Sequence, residues 1–217
     1  YDKTQFNRPE WKVLNAPARR QAARDYLAGK KCFGGLNLST TTDLTAFTLL
    51  FPPQEGLDTW VVLFWAWRPE EGVLEAEQRD HVPYRDWARA GFLALCPGDM
   101  VDFTMVEDAV AAAADVFDWE TLGVDPYLSR TLTPRLMGRG VNVGEIPQDM
   151  KNLSPAMKEI ERLIRAHQML HEHNTAARWC WGNVRCAVDG NENIKPMKNR
   201  SIGRIDITVA WIISMAV

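Results

Sequence analysis

The stretch from Phe33 to Phe51 constrains this chain most. Phe33-Gly34-Gly35-Leu36-Asn37-Leu38-Ser39 reads as a strand. Thr40-Thr41-Thr42-Asp43 reads as a tight polar turn, and Leu44 to Phe51 as a second strand. Two glycines open the first strand, where a side chain would block close approach of another backbone or a ligand. Strand alternation sends Phe33, Gly35 and Asn37 to one face and Leu36 and Leu38 to the other. Asn37 is thus a polar side chain in a run that otherwise reads as buried. A buried amide costs stability unless it has partners. Either a hydrogen-bond network satisfies it or it faces a site.

The remaining elements follow in order. Tyr1 to Lys31 is polar and mixed, with a helical stretch at Pro17 to Ala28, and reads as a linker or approach segment. Pro52-Pro53 and Gly56 make a turn before a third strand, Thr59 to Trp67. These short connections imply an antiparallel meander. Glu70 to Asp80 and Tyr84 to Ala90 read as helical pieces around Val82-Pro83, and Leu93 to Cys96 ends at Pro97-Gly98. The region of about 68–103 is therefore expected to be an insertion or flap over one end of the sheet. Thr104 to Phe117 is a helix, and Leu122-Gly123-Val124 a buried strand ending in Asp125-Pro126-Tyr127. Thr131 to Gly138 is helical and Val141 to Ile146 a fifth strand. Ser154-Pro155 reads as the cap and first position of a helix to Ala166. A helix near Ala176 to Val184, a turn at Asp189 to Asn193 and a last helix, Ile205 to Val217, complete the chain. A meander followed by alternating helices and strands predicts a ribonuclease H-like α/β fold. The expected sheet is mixed and five-stranded, with three antiparallel strands and then two parallel ones.

Composition excludes little. With 46% hydrophobic residues the 217-residue chain has ample core, for one large domain or two small ones. A net charge of -3 means that nucleic acid would have to be met by a local patch. Cys32, Cys96, Cys180 and Cys186 form no C-x-x-C pair, and no signal peptide opens the chain, so reduced thiols in a cytosol are expected. The last apolar run is too short to span a bilayer and contains Asp206. The chain starts without an initiator Met, as a fragment of something longer would.

The chemistry is sought in acids at strand ends. Asp125 closes the fourth strand, at the C-terminal edge where sites commonly lie. Asp206 lies in the first turn of the last helix, where the dipole favours negative charge. Either alone reads equally as a capping or helix-start residue. In a ribonuclease H-like sheet the first and fourth strands are neighbours, so Asn37 and Asp125 would lie side by side and the last helix would bring Asp206 across. Clustered carboxylates hold hard divalent cations. Two Mg²⁺ or Mn²⁺ ions about 4 Å apart activate water and stabilise the leaving oxygen of a phosphodiester. Lys195, Lys198, Arg200 and Arg204 precede Asp206 and form a local basic patch able to hold a nucleic-acid backbone. His167, His171 and His173 crowd one segment, but no carboxylate or Cys has matching spacing. An exposed helix end is expected there rather than zinc. The tryptophans, such as Trp179 and Trp181, read as core.

Several collinear stretches resemble the nuclease domain of the large terminase subunit of tailed double-stranded DNA bacteriophages. They are Cys32 to Ser39 with Thr42-Asp43-Leu44-Thr45, then Arg79-Asp80-His81-Val82-Pro83-Tyr84 with Trp87, and Val124-Asp125-Pro126-Tyr127. Leu153 to Glu159, Asn193-Ile194-Lys195-Pro196 and Ser201-Ile202-Gly203-Arg204-Ile205-Asp206 follow. The resemblance covers Cys32 to Val217. It implies a metal-dependent endonuclease acting on concatemeric viral DNA, with a nuclease domain over 32–217 and an approach segment over 1–31 leading from an upstream ATPase domain. It implies two Mg²⁺ or Mn²⁺ ions held by residues matching Asn37, Asp125 and Asp206. Asp43 also fits the pattern, either assisting metal or water or stabilising the turn. The first acid of the family stands where this chain has Asn37, a nearly isosteric change that would silence such a site. The expected partners are double-stranded DNA, a small terminase subunit, a portal and sister large subunits in a ring, in the host cell cytoplasm and without a membrane. The isolated domain is expected to be a monomer. A non-cleaving DNA-gripping or docking domain is the competing reading. An actin-like ATPase is a third, but the chain lacks its second and third glycine-rich loops.

Overall fold

The structure is a computed structural model that describes residues 16–126, 130 and 132–217. The first half of the approach segment and Tyr127 lie outside these residues. The first described element, helix α1 (Ala16–Tyr26), lies within the stretch expected to be an approach segment. The meander is as expected: β1 (Lys31–Asn37), β2 (Thr45–Phe51) and β3 (Trp60–Pro69) pair antiparallel in sequence order. Each strand is apolar on both faces. In β3, Val62, Phe64 and Ala66 enter one core and Val61 and Leu63 the other. Such continuous apolar strands require helices on both sides of the sheet.

The segment 68–103 supplies α2 (Val73–Asp80), α3 (Tyr84–Arg89) and β4 (Ala94–Cys96). Tyr84, Trp87 and Phe92 are buried in the core beneath the sheet. After α4 (Phe103–Ala114), capped by the Asp102 side chain on the Thr104 N–H, the chain crosses to β5 (Asp118–Val124). β5 runs parallel to β1, and after α5 (Leu132–Gly138) β6 (Val143–Glu145) runs parallel to β5. Then come α6 (Met150–Arg165), β7 (Met169–His171), α7 (Thr175–Asn183), the hairpin of β8 (Cys186–Val188) and β9 (Ile194–Pro196), and α8 (Asp206–Ala216).

The sheet has seven strands rather than five. Its order is β4-β3-β2-β1-β5-β6, with β7 also on β3. β7 pairs with the first residues of β3 and β4 with the last, both parallel. The five expected strands are all present. The two added ones are three residues long, too short to show a period in sequence. Helix α6 also begins earlier than expected. Asp149, not Ser154, is its N-cap and accepts from the Asn152 N–H at 2.9 Å. Pro155 lies inside the helix, and Ser154 Oγ instead accepts from the Ile194 N–H at 3.0 Å, tying α6 to the hairpin. The histidine segment is not an exposed helix end throughout. His167 is exposed, but His171 is a buried β7 residue whose Nδ1 accepts from the His173 N–H.

Helix α8 lies across β1 and β2 and reaches β5, and two glycines allow it. A Cβ at Gly35 would collide with the Ala210 carbonyl oxygen and stand 2.5 Å from Ser214 N. A Cβ at Gly123 would meet Ile213 and Val217 at 2.7 and 2.6 Å. Gly35 thus marks a close backbone approach, to the helix that carries Asp206, whereas Gly34 makes room for the Leu122 and Trp119 side chains. All four cysteines are free, with Cys186 exposed and the others buried. Among the described residues no helix is long and apolar enough to cross a membrane.

Candidate functional site

The site forms where β1 and β5 end. Leu36 lies opposite Val124 in the parallel register, so Asn37 and Asp125 follow side by side at the C-terminal ends of neighbouring strands. Helix α8 then brings Asp206 onto Asn37: the Asn37 Nδ2 donates to Asp206 Oδ1 at 3.0 Å. Asn37 Oδ1 faces the Gln148 amide at 3.5 Å. Asn37 and Asp206 are both buried, while Asp125 is partly exposed.

Asp206 collects two more donors. The Leu44 N–H reaches Oδ2 at 3.3 Å, and Lys198 Nζ reaches Oδ1 at 2.5 Å. Lys198 also lies 3.7 Å from Asp43 Oδ2. Asp43 is paired on its other oxygen with Arg204, whose Nε is 3.6 Å from Asp80. Asp80 in turn accepts from Nε and one terminal nitrogen of the Arg79 guanidinium and from the Tyr84 hydroxyl at 2.7 Å. A row of alternating charges therefore runs from buried Asp206 out to Arg79.

Burial pushes the Asp206 carboxyl above the ordinary carboxylate range, and Lys198 pulls against it. Burial also opposes charge on Lys198, but Asp206 and Asp43 outweigh it and hold the ammonium above the usual lysine range. The ionised pair is the state this geometry supports, because Asp206 is met by three donors. Burial opposes charge on Asp80 as well, yet Arg79, Tyr84 and Arg204 bring it below the usual range. Burial and Asp80 push the Tyr84 hydroxyl up, so it stays a donor.

The expected basic patch is only partly an outward one. Lys198 and Arg204 turn inward to the acids, Lys195 donates to the Gln148 carbonyl at 3.3 Å, and Arg200 is exposed. Coulomb attraction explains this: two cations beside three carboxylates find partners within the molecule. Sequence reasoning gave no role to Asp80, Tyr84 or Gln148. Asp80 and Tyr84 lay in a stretch noted for its resemblance, but nothing local marked them as members of this cluster.

The donor set suits a hard divalent cation, since Asp206, Asp125, Asp43 and the Asn37 amide offer oxygen alone. Among the described residues, no three His, Cys, Asp or Glu side chains are grouped so as to hold a metal by themselves. Asn37 stands within the group as its neutral member, and Lys198 already takes one Asp206 oxygen. The fit is therefore chemical, and it requires the ammonium to withdraw.

A mixed sheet with polar and acidic groups at the ends of two adjacent parallel strands, completed by a crossing helix, defines an α/β domain of ribonuclease H-like fold. The chain matches the family model described as "Terminase large subunit, endonuclease domain" over residues 4–217, and it belongs to that family. It is 28% identical over 188 residues to the "Terminase, large subunit" of Enterobacteria phage HK97, covering 86% of this chain and 37% of that protein's length. The crystal structure of the HK97 bacteriophage large terminase superposes with a TM-score of 0.80 at 26% identity, over 91% of this chain and 42% of that one. The large terminase nuclease from thermophilic phage G20c with bound magnesium has a TM-score of 0.55 at 10% identity, over 86% and 80% of the two chains, and shares the fold.

Proposed function

We propose that this domain is a divalent-metal-dependent endonuclease module of a DNA-packaging large subunit, with its cutting function silenced by Asn37. One observation carries the reading: Asn37 and Asp206 are joined directly, and Asp125 immediately follows the strand that pairs with β1. When bound, two Mg²⁺ or Mn²⁺ ions would supply an activated water and charge stabilisation at the leaving oxygen. Asp206, Asp125 and the residue at position 37 would hold them, with Asp43 supporting from the turn. The chain's own cations, Arg200 and Lys195 at the rim, would position the phosphate backbone. Asn37 keeps the shape of an aspartate but lacks its charge, so it supplies an oxygen without neutralising a cation.

The substrate class under this reading is concatemeric double-stranded viral DNA. The partners are a small terminase subunit, a portal and sister subunits, and the compartment is the host cell cytoplasm. The test is supercoiled plasmid with Mn²⁺. Asn37→Asp should raise cleavage by roughly 10²-fold or more, the scale of one transition-state stabilising group. Asp125→Asn or Asp206→Asn in that background should remove the gain. Equal cleavage by the chain and its Asn37→Asp form sinks the assignment of this position. A second reading, a non-cleaving DNA-gripping domain, is favoured by two features: an amide at position 37 and a lysine already paired with Asp206. DNA binding without cleavage in the Asn37→Asp chain would select it.

A further inference from the structure

A cationic atom already occupies a bridging position in this site. Lys198 Nζ stands 2.5 Å from Asp206 Oδ1 and 3.7 Å from Asp43 Oδ2, joining carboxylates from two distant segments. Joining carboxylates in this way is also what a divalent ion does in an all-oxygen site. Resting on the metal-centre reading above, we propose that Lys198 is an intramolecular counter-ion that stands in for a divalent cation at Asp206 and yields to it when DNA draws the lysine away. Metal and duplex DNA then bind cooperatively.

Three features support the exchange. First, the two residues are unequally placed: the Asp206 side chain is 1% exposed and that of Lys198 is 42% exposed. The lysine stem therefore reaches in from solvent and has an open way out, whereas the carboxylate has none. Second, the neighbouring cation is fixed. Arg204 is held between Asp43 and Asp80, and its carbonyl accepts from the Asn183 amide at 3.0 Å. Gly203 packs against Trp179 and Asn183, leaving no room for a side chain. The backbone is thus held on both sides of Lys198, at Arg204 and at Met197, whose N–H donates to the Arg185 carbonyl at 2.8 Å, so the exchange is a movement of the lysine side chain alone. Third, the competition is direct. An ion approaching Asp206 Oδ1 meets an ammonium already at hydrogen-bond distance, and like charges at such spacing repel strongly near a buried site. A phosphate backbone offers the released lysine an alternative anion. Any effect of DNA on metal affinity must then be matched by the same effect of metal on DNA affinity.

The experiment is Mn²⁺ titration of the chain by calorimetry, with and without a short duplex oligonucleotide, for Lys198, Lys198→Met and Lys198→Arg. Lys198→Met should raise Mn²⁺ affinity without DNA by about tenfold, and the enhancement by duplex should shrink from about tenfold to near unity. Lys198→Arg should keep both behaviours, since it retains the charge. If Lys198→Met does not fold, Lys198→Gln takes its place. Mn²⁺ binding that depends on Asp206 but is unchanged in Lys198→Met overturns the counter-ion role and leaves the metal centre standing. No Asp206-dependent Mn²⁺ binding, even in the Asn37→Asp chain, overturns the metal centre itself and this inference with it.

Discussion

Asp206 and Glu172 are both buried carboxylates met by cations, and their surroundings differ in an instructive way. Glu172 follows β7 and lies on the open edge of β3, in the gap between β7 and β4. Its Oε1 accepts from the Phe64 N–H at 3.1 Å, where a neighbouring strand would otherwise supply a carbonyl. Arg24 of α1 stands 3.5 Å from it and lies over the Trp65 ring, and buried Arg20 lies over Phe92. The Glu172 cluster thus completes the sheet edge and ties α1 to it. Asp206 completes no ladder. It sits at the ends of β1 and β5, and its cation is a half-exposed lysine. A buried charge with enclosed partners that fill a backbone gap is structural. A buried charge whose partner can leave is a candidate for chemistry.

Stability separates the two most strongly. Glu172→Ala leaves the Phe64 N–H and the α1 arginines without their anion. Breaking a buried pair in this way costs about 3–5 kcal/mol, so the melting temperature should fall by on the order of 10 °C for a chain of this size. Asp206→Asn keeps the shape and some hydrogen bonding and should cost about 1–2 kcal/mol. Equal losses in thermal melts would break the comparison.

Glu172 and Asp80 should also differ in the sign of their pH dependence. Burial raises the Glu172 carboxyl, against the pull of Arg24 and the Phe64 N–H. A raised folded-state value means that the folded protein holds the proton more tightly. The contribution of Glu172 is then present at low pH and declines as pH rises from the unfolded value of about 4.3 through the raised one. Asp80, in the charge row that begins at Asp206, is depressed by Arg79, Tyr84 and Arg204 despite burial. Its contribution is present above the unfolded value of about 3.9 and is lost as pH falls through the depressed one. Urea midpoints across pH should show Glu172→Gln flattening the first decline and Asp80→Asn flattening the acid limb. The reverse assignment would refute the electrostatic contrast.

The smallest effect concerns Arg200, which is exposed in the loop before α8. Arg200→Ala should leave stability within about 0.5 kcal/mol, as surface changes usually do. It should weaken duplex binding alike for all sequences and lower the log–log salt slope by about 0.9, the share of one phosphate contact. An unchanged slope at matched conditions makes Arg200 a bystander and moves the DNA surface elsewhere.

Much of this was legible from residues alone, for reasons that are local. Alternating and continuous apolar runs mark β1, β2 and β3, because side-chain direction repeats every two residues. Gly35 announced a close backbone approach, because only a missing Cβ permits one. Asp125 before Pro126 and Asp206 at the start of α8 were identifiable by their places at element ends. Tertiary structure alone decided the rest. β4 and β7 are three-residue strands that exist because β3 offers them an edge. Asp149 rather than Ser154 caps α6, and Ser154 is instead bound to a hairpin forty residues away. The inward turn of Lys198 and Arg204 was equally hidden, since their direction is set by Asp43, 161 residues before Arg204, and by Asp80. Coulomb and hydrogen-bond partners act through space, and a one-dimensional chain records which groups can pair but not which ones folding brings within reach.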